Sequence, residues 1–152
     1  VRRGADDGEG ADLALCADDA RFTTAYAAIA LSGDGGASYF LPRIVGRRKA
    51  AELLLLAERF DATEALRLGL VNRVVTGAEL DAEVGKLAAR LKAGPLEAYG
   101  EIKRLLAESA DNRLEAHLLS EAEAFARCAS KADFTEGVTA FLSKRKPVFG
   151  RD

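Results

Sequence analysis

The sequence predicts an α/β chain in which helix predominates, and three observations carry that expectation. Beyond residue 46, apolar side chains recur three or four positions apart through most of the chain, the spacing that gathers them on one side of a helix. One run, Leu70-Val-Asn-Arg-Val-Val75, is instead short, apolar and rich in valine, as a buried strand or extended segment would be. Third, Ser32-Gly-Asp-Gly-Gly36 places a single carboxylate in a glycine-rich turn directly before a helix. With 152 residues the chain can bury a core as one domain.

The turn comes first. Gly33, Gly35 and Gly36 allow positive φ and close approach of a ligand to the backbone. The helix that starts after them points N–H groups and the positive end of its dipole toward the same place. Ala50, Leu53, Leu54 and Ala57 then give residues 46–58 a continuous apolar helical face. Asp61-Ala-Thr-Glu64 has the form of a capping box and opens a short helix that Gly69 ends. The strand-like run 70–75 follows. Leu80, Val84, Leu87, Ala88 and Leu91 make the next amphipathic helix, stopped by Gly94-Pro95. Ala98, Ile102, Leu105 and Leu106 mark another, Leu114, Leu118, Ala122 and Phe125 a long one, and Phe134, Val138 and Phe141 the last. The second half is therefore almost entirely helical. No internal repeat is visible, and the one low-complexity stretch is the N-terminus.

Composition narrows the function classes. The hydrophobic fraction of 49% and charged fraction of 30% are ordinary for a folded domain. A net charge of −2 argues against a general nucleic-acid binder, which needs a basic surface to neutralise phosphates. Cys16 and Cys128 are too few and too far apart for a disulfide framework or a metal cluster, so no metal is expected. A reduced, cytoplasmic compartment is the simpler expectation. No apolar run reaches transmembrane length and no leading signal segment is seen, so no membrane partner is expected.

Among single residues, Asp34 carries two readings. It is a helix N-cap followed by a glycine loop, or an acid held at fixed reach of a proton. Phe141, Lys144, Arg145 and Lys146 end the last helix, where cations meet the dipole favourably and where a solvated basic end is the plain reading. His117 reads as a partly exposed helix residue, and Cys16 and Cys128 as small buried apolar ones. Ser32 and Ser38 fit capping and turn roles, and Arg43, after Pro42, fits an anchor at a helix start.

Residues 20–46 resemble the enoyl-CoA hydratase/isomerase (crotonase) family. The matching positions are Ala20-Arg21-Phe22, Leu31-Ser32, Asp34, Gly36, Ser38 and Leu41-Pro-Arg-Ile-Val-Gly46. The resemblance continues through Phe60-Asp-Ala-Thr-Glu-Ala-Leu-Arg-Leu-Gly-Leu-Val-Asn-Arg-Val-Val75 and Ala124-Phe-Ala-Arg127. It closes on Phe134-Thr-Glu-Gly-Val-Thr-Ala-Phe-Leu-Ser-Lys-Arg-Lys-Pro-Val-Phe149 and covers nearly the whole chain from about residue 8. It implies the C-terminal part of a crotonase-like spiral fold. Residues 1–92 would belong to the spiral core and residues 93–152 to a helical region for oligomerisation and pocket closure. Members carry a longer N-terminal section, so the chain reads as the C-terminal part of a longer protein, and whether it is itself an enzyme stays open.

The resemblance also implies roles. Gly8-Glu9-Gly10 falls on the family's Gly-x-Gly segment, with the backbone N–H of Glu9 at an oxyanion position and Gly10 beside it. Asp12 falls where hydratases carry one catalytic glutamate. Departures are Asp6, Asp7 and Glu9 where the family has small apolar residues, and a link from Leu15 to Ala20 that reads as too short for the family's strand. The second hydratase glutamate is replaced by Tyr26, a phenol, which is a poor general base at neutral pH. Asp34 matches the acid of the isomerases, similar to the epoxyphenylacetyl-CoA isomerase branch. The implied activity is therefore a double-bond shift in an acyl-CoA thioester through an enolate, with Asp34 as acid/base and Tyr26, Gly35 and Gly36 lining the substrate. Phe141 and Lys144 match CoA-contacting positions, and the expected assembly is a homo-trimer or hexamer. No cofactor is implied beyond the coenzyme A of the substrate. The alternatives are a truncated, non-catalytic acyl-CoA-binding or subunit-association remnant, and a 2-enoyl-CoA hydratase.

Overall fold

The structure of the protein is a computed structural model, and it describes residues 11–150. The chain divides into two compact units, residues 1–85 and 86–152. The first unit opens with strand β1 (Leu15–Ala17) and strand β2 (Arg21–Phe22), followed by a 3-10 turn at Ala27–Ile29. Helices α1 (Ala37–Val45) and α2 (Arg47–Leu56) come next, then β3 (Phe60–Asp61), α3 (Ala62–Arg67) and β4 (Arg73–Val75). Helix α4 (Leu80–Lys92) crosses into the second unit, which continues as α5 (Leu96–Glu108), α6 (Leu114–Ala129) and α7 (Ala132–Leu142). The expected α/β character with helix predominating is what the described residues have.

The strands pair across long separations. β1 runs parallel to β4, with Leu15, Cys16 and Ala17 opposite Arg73, Val74 and Val75. The link 15–20, expected to be too short for a strand, therefore holds one, because three residues suffice when the partner supplies the ladder. Asn72 extends that ladder: its side-chain Oδ1 accepts from the Ala14 N–H at 2.7 Å and its own N–H donates to the Ala14 carbonyl at 2.8 Å. β2 pairs antiparallel with β3, placing Phe22 opposite Phe60 with their rings stacked at 5.5 Å. Between these ladders lies a small core of Cys16, Ala62, Ala65 and Val71. A second core joins the helices through Leu41, Ala50 and Leu53, with Phe60 and Leu70 packed against it.

Local chemistry sets the helix ends. The Asp61 carboxylate accepts the Glu64 N–H at 2.9 Å, the first half of the expected capping box. The reciprocal half is replaced: the Glu64 carboxylate takes the Arg67 guanidinium through two hydrogen bonds of 2.5 and 2.6 Å. A fork that matches a carboxylate with two charged donors competes well against one backbone N–H. Pro42 lies inside α1 rather than before it, and Arg43 sits in that helix's last turn. Its guanidinium donates to the Tyr39 carbonyl at 2.8 Å and covers the Tyr39 ring at 3.5 Å, so it anchors the helix's end and not a start. Gly46, at φ 78°, turns the chain between α1 and α2.

In the second unit, Glu101 of α5 receives Arg127 of α6 at 2.7 and 2.9 Å and its own neighbour Arg104 at 2.9 Å. Lys131 and Glu97 add an ion pair at 3.1 Å. After α7 the tail folds back on that helix. Glu136 grips Arg145 at 2.6 and 2.8 Å and accepts the Val148 N–H at 2.8 Å, while Asp133 accepts the Gly150 N–H at 2.9 Å. Few side chains are buried here; Ala124 and Ala140 are.

Candidate functional site

The segment that carries Tyr26 is tied down at its start. Thr23 and Thr24 donate their hydroxyls to the carbonyls of Ala57 and Leu53, at 3.0 and 2.8 Å. Those carbonyls lie at the C-terminal end of α2, and that of Leu53 accepts the Ala57 N–H at 3.1 Å as well, using both of its lone pairs. The chain then tightens: Ala25 and Ala30 adopt left-handed φ of 52° and 59° on either side of the 3-10 turn. Non-glycine residues adopt that conformation at a cost, and tertiary contacts must hold them there. The Leu31 N–H closes the loop by donating to the Tyr26 carbonyl at 3.0 Å.

Asp34 follows in the glycine turn, with Gly33, Gly35 and Gly36 at φ of 98°, 61° and 90°. Two rings cover this turn. A Cβ on Gly33 would lie 3.5 Å from the Tyr26 ring, and one on Gly36 would meet the Phe40 ring at 2.8 Å. The N-cap of α1 is Gly36, with no side-chain cap, so the N-cap reading of Asp34 is overturned. Asp34 contributes its main-chain carbonyl to the helix start, accepting the Ala37 N–H at 3.0 Å. Its carboxylate is used elsewhere. Oδ1 accepts the Tyr26 hydroxyl at 2.7 Å. Oδ2 receives no hydrogen bond among the described residues. Ser38 is the second residue of α1 and does not cap it.

The structure thus brings Tyr26, Asp34, Gly35 and Gly36 together. Asp12 lies in an exposed bend before β1, and the Tyr26–Asp34 pair does not include it. Glu9 and Gly10, together with Asp6 and Asp7, lie outside the described residues. Phe141 and Lys144 belong to the second unit, at the end of α7, with Phe141 82% exposed. Of the basic residues there, Arg145 is neutralised by Glu136, which leaves Lys144 and Lys146 to meet an anion. The grip of Glu136 fixes the backbone around Lys144, itself at φ 52°. His117 sits in α6, partly exposed, with Nε2 3.7 Å from a Glu121 carboxylate oxygen. Cys16 is buried, as expected, and burial pushes its thiol pKa up; Cys128 is only half-buried. Among the described residues no cluster of histidine, cysteine and carboxylate side chains could hold a metal ion, and no helix is long and apolar enough to cross a membrane. An open depression lined by Arg21, Arg59, Phe60, Asp61 and Glu64 shares no residue with the Asp34 turn.

What sequence reasoning missed is the Tyr26–Asp34 hydrogen bond. A tyrosine eight positions before an aspartate carries no local signal that the two meet. The left-handed turn at Ala25 aims the ring, and alanine does not announce such a turn.

Known proteins place this geometry in context. Residues 8–152 match the enoyl-CoA hydratase/isomerase family. The chain is 34% identical to the 1,2-epoxyphenylacetyl-CoA isomerase of Escherichia coli over 92% of its own length and 53% of that protein's. It is 36% identical to 4-chlorobenzoyl coenzyme A dehalogenase-1 of an Arthrobacter species over 88% of its length and 48% of that protein's. A crystal structure of an enoyl-CoA hydratase from Polaromonas sp. JS666 superposes with a TM-score of 0.91 at 35% identity, over 97% of this chain and 58% of that one. The chain therefore spans about half the length of the relatives it matches.

Proposed function

We propose, from the premise that this chain belongs to the enoyl-CoA hydratase/isomerase family, that its site shifts a double bond in an acyl-CoA thioester, with Asp34 as the acid/base. One observation carries the reading: the Asp34 carboxylate is not spent on capping α1 but stands at the turn with Oδ2 open. Isomerisation needs one movable proton. Asp34 takes it from the carbon α or γ to the thioester carbonyl, breaking C–H and forming O–H, and the electron pair moves to the thioester oxygen as an enolate. The same carboxyl group then returns the proton to the other carbon. No water is consumed, and Tyr26 stands where a water-activating carboxylate would be needed for hydration.

The remaining roles belong to the same proposal. Backbone N–H donors would stabilise the enolate oxygen, with the Glu9 N–H and Gly10 as that segment, while Asp12, at the position of a hydratase glutamate, would take a catalytic part only in the hydration alternative. Gly35 and Gly36 would let the acyl chain approach the backbone, and Phe141 and Lys144 would meet the CoA portion, lysine as a point charge on phosphate. The assembly would be a homo-trimer or hexamer in the cytoplasm, with coenzyme A entering only as part of the substrate.

Titration calorimetry with a medium-chain enoyl-CoA, followed by a 3-enoyl to 2-enoyl isomerisation assay, tests this. Asp34→Asn should retain binding while turnover falls by about 10²- to 10⁴-fold, the usual loss for a general acid–base group. Near-normal turnover in that variant would remove Asp34 as the base. A 3-hydroxyacyl product in place of the shifted alkene would reassign the site to hydration.

A further inference from the structure

We infer that Tyr26 is a positioning residue for Asp34, fixing Oδ1 by its hydroxyl so that Oδ2 is the single oxygen that exchanges a proton with substrate. The inference rests on the isomerase reading for its chemistry but on geometry alone for the contact. The Tyr26 hydroxyl donates to Oδ1 at 2.7 Å, a length typical of an O–H donor on a carboxylate. Three features make this contact a built one. The Tyr26 ring packs over Gly33, whose φ of 98° turns the chain so that Asp34 follows directly beside the ring. The backbone is bent into place by the left-handed Ala25 and Ala30 on either side. Thr23 and Thr24 lock the preceding residues to the end of α2.

A free aspartate rotates about two side-chain bonds and offers either oxygen. Proton transfer in both directions by one group is fastest when one oxygen stays within reach of both the α and the γ carbon, and rotation between the two steps carries the acid out of that reach. A hydroxyl held on Oδ1 removes that freedom. It also serves both states of the carboxyl group, because Oδ1 accepts whether or not Oδ2 carries a proton. Tyr26 itself neither gains nor loses a proton in this scheme.

The test uses the chain carrying tyrosine labelled with carbon-13 at Cζ, which gives three resonances, from Tyr26, Tyr39 and Tyr99. Tyr26→Phe assigns the Tyr26 signal by its loss. Asp34→Asn should move that signal alone, and a Tyr26 signal that stays in place would overturn the contact. Three-bond couplings to the Asp34 methylene should report one rotamer in the parent chain and averaging in Tyr26→Phe. A single Asp34 rotamer in both would overturn the positioning role. In the isomerisation assay, Tyr26→Phe should lower kcat roughly tenfold with KM within about twofold, as expected when a reacting group is misplaced without loss of binding. A fall confined to KM would overturn the inference. A parent chain without isomerase turnover would count against the proposed function, and the resonance and rotamer readings would then decide the role of Tyr26.

Discussion

At the scale of single residues, left-handed backbone conformations are used in two different ways, and the two respond oppositely to substitution. Gly36 needs its missing side chain twice over: φ is 90°, and a Cβ would press on the Phe40 ring at 2.8 Å. Gly36→Ala should therefore destabilise the chain by about 1–3 kcal/mol, read as a lower urea midpoint at unchanged slope. Ala57 is the reverse case. It closes α2 at φ 52° with its N–H on the Leu53 carbonyl, a geometry that glycine adopts without strain. The strain relieved is about 1–2 kcal/mol and the chain entropy lost about 0.5–1 kcal/mol, so Ala57→Gly should raise stability by roughly 0.5–1 kcal/mol. A lowered midpoint would show that contacts of the Ala57 methyl outweigh the strain. The same contrast explains what was legible at the site. Gly33, Gly35 and Gly36 announce a turn and mark Asp34, whereas Ala25 and Ala30 hide the turn that brings Tyr26 to it.

Among the elements, the helices after residue 80 were readable because each depends only on its own apolar spacing. Of the strands, β4 falls inside the valine-rich run 70–75 that marked it, whereas β1 and β2 were not readable: they have three and two residues, and their partners lie more than thirty positions away. Pro42 within α1 was also unreadable from local rules, since a proline more often precedes a helix than interrupts one. How the helices join depends on charge. The Arg127 guanidinium first, then that of Arg104, holds the Glu101 carboxyl at about 2, below its ordinary 4.5. A pKa lowered by folding means that the ionised form is favoured in the native state. The stabilisation is thus complete above the unfolded value and is lost as pH falls toward about 2. Acid titration of stability in that window should be steeper for the parent chain than for Glu101→Gln. Identical curves would show that the pair does not couple α5 to α6. Added salt should shrink the difference, because the pair is reached by solvent.

For the whole molecule, the decisive quantity is apolar surface left in water. On α6, Leu114, Leu118 and Phe125 recur on one helical side, and on α7 so do Phe134, Val138 and Phe141; all six are exposed. Such an accumulation exceeds what a monomer normally shows. Because these side chains are already partly covered, burying the rest of one set of three contributes at most about 5–9 kcal/mol, the value for full burial at about 1.5–3 kcal/mol each. Association itself costs about 4–15 kcal/mol, so one helix side leaves little or nothing over. Both together, at most about 10–18 kcal/mol, reach the size of that cost. The chain should therefore self-associate with rising concentration in sedimentation experiments. Phe125→Ser alone should weaken that association, and Phe125→Ser with Phe141→Ser should abolish it while circular dichroism still reports helix. A parent chain that sediments as one copy at every concentration would mean that these sides are covered within the chain or tolerated in water. A double variant that associates as before would place the contact elsewhere, and the exposed leucines of α2, Leu55 and Leu56, would be the next residues to change.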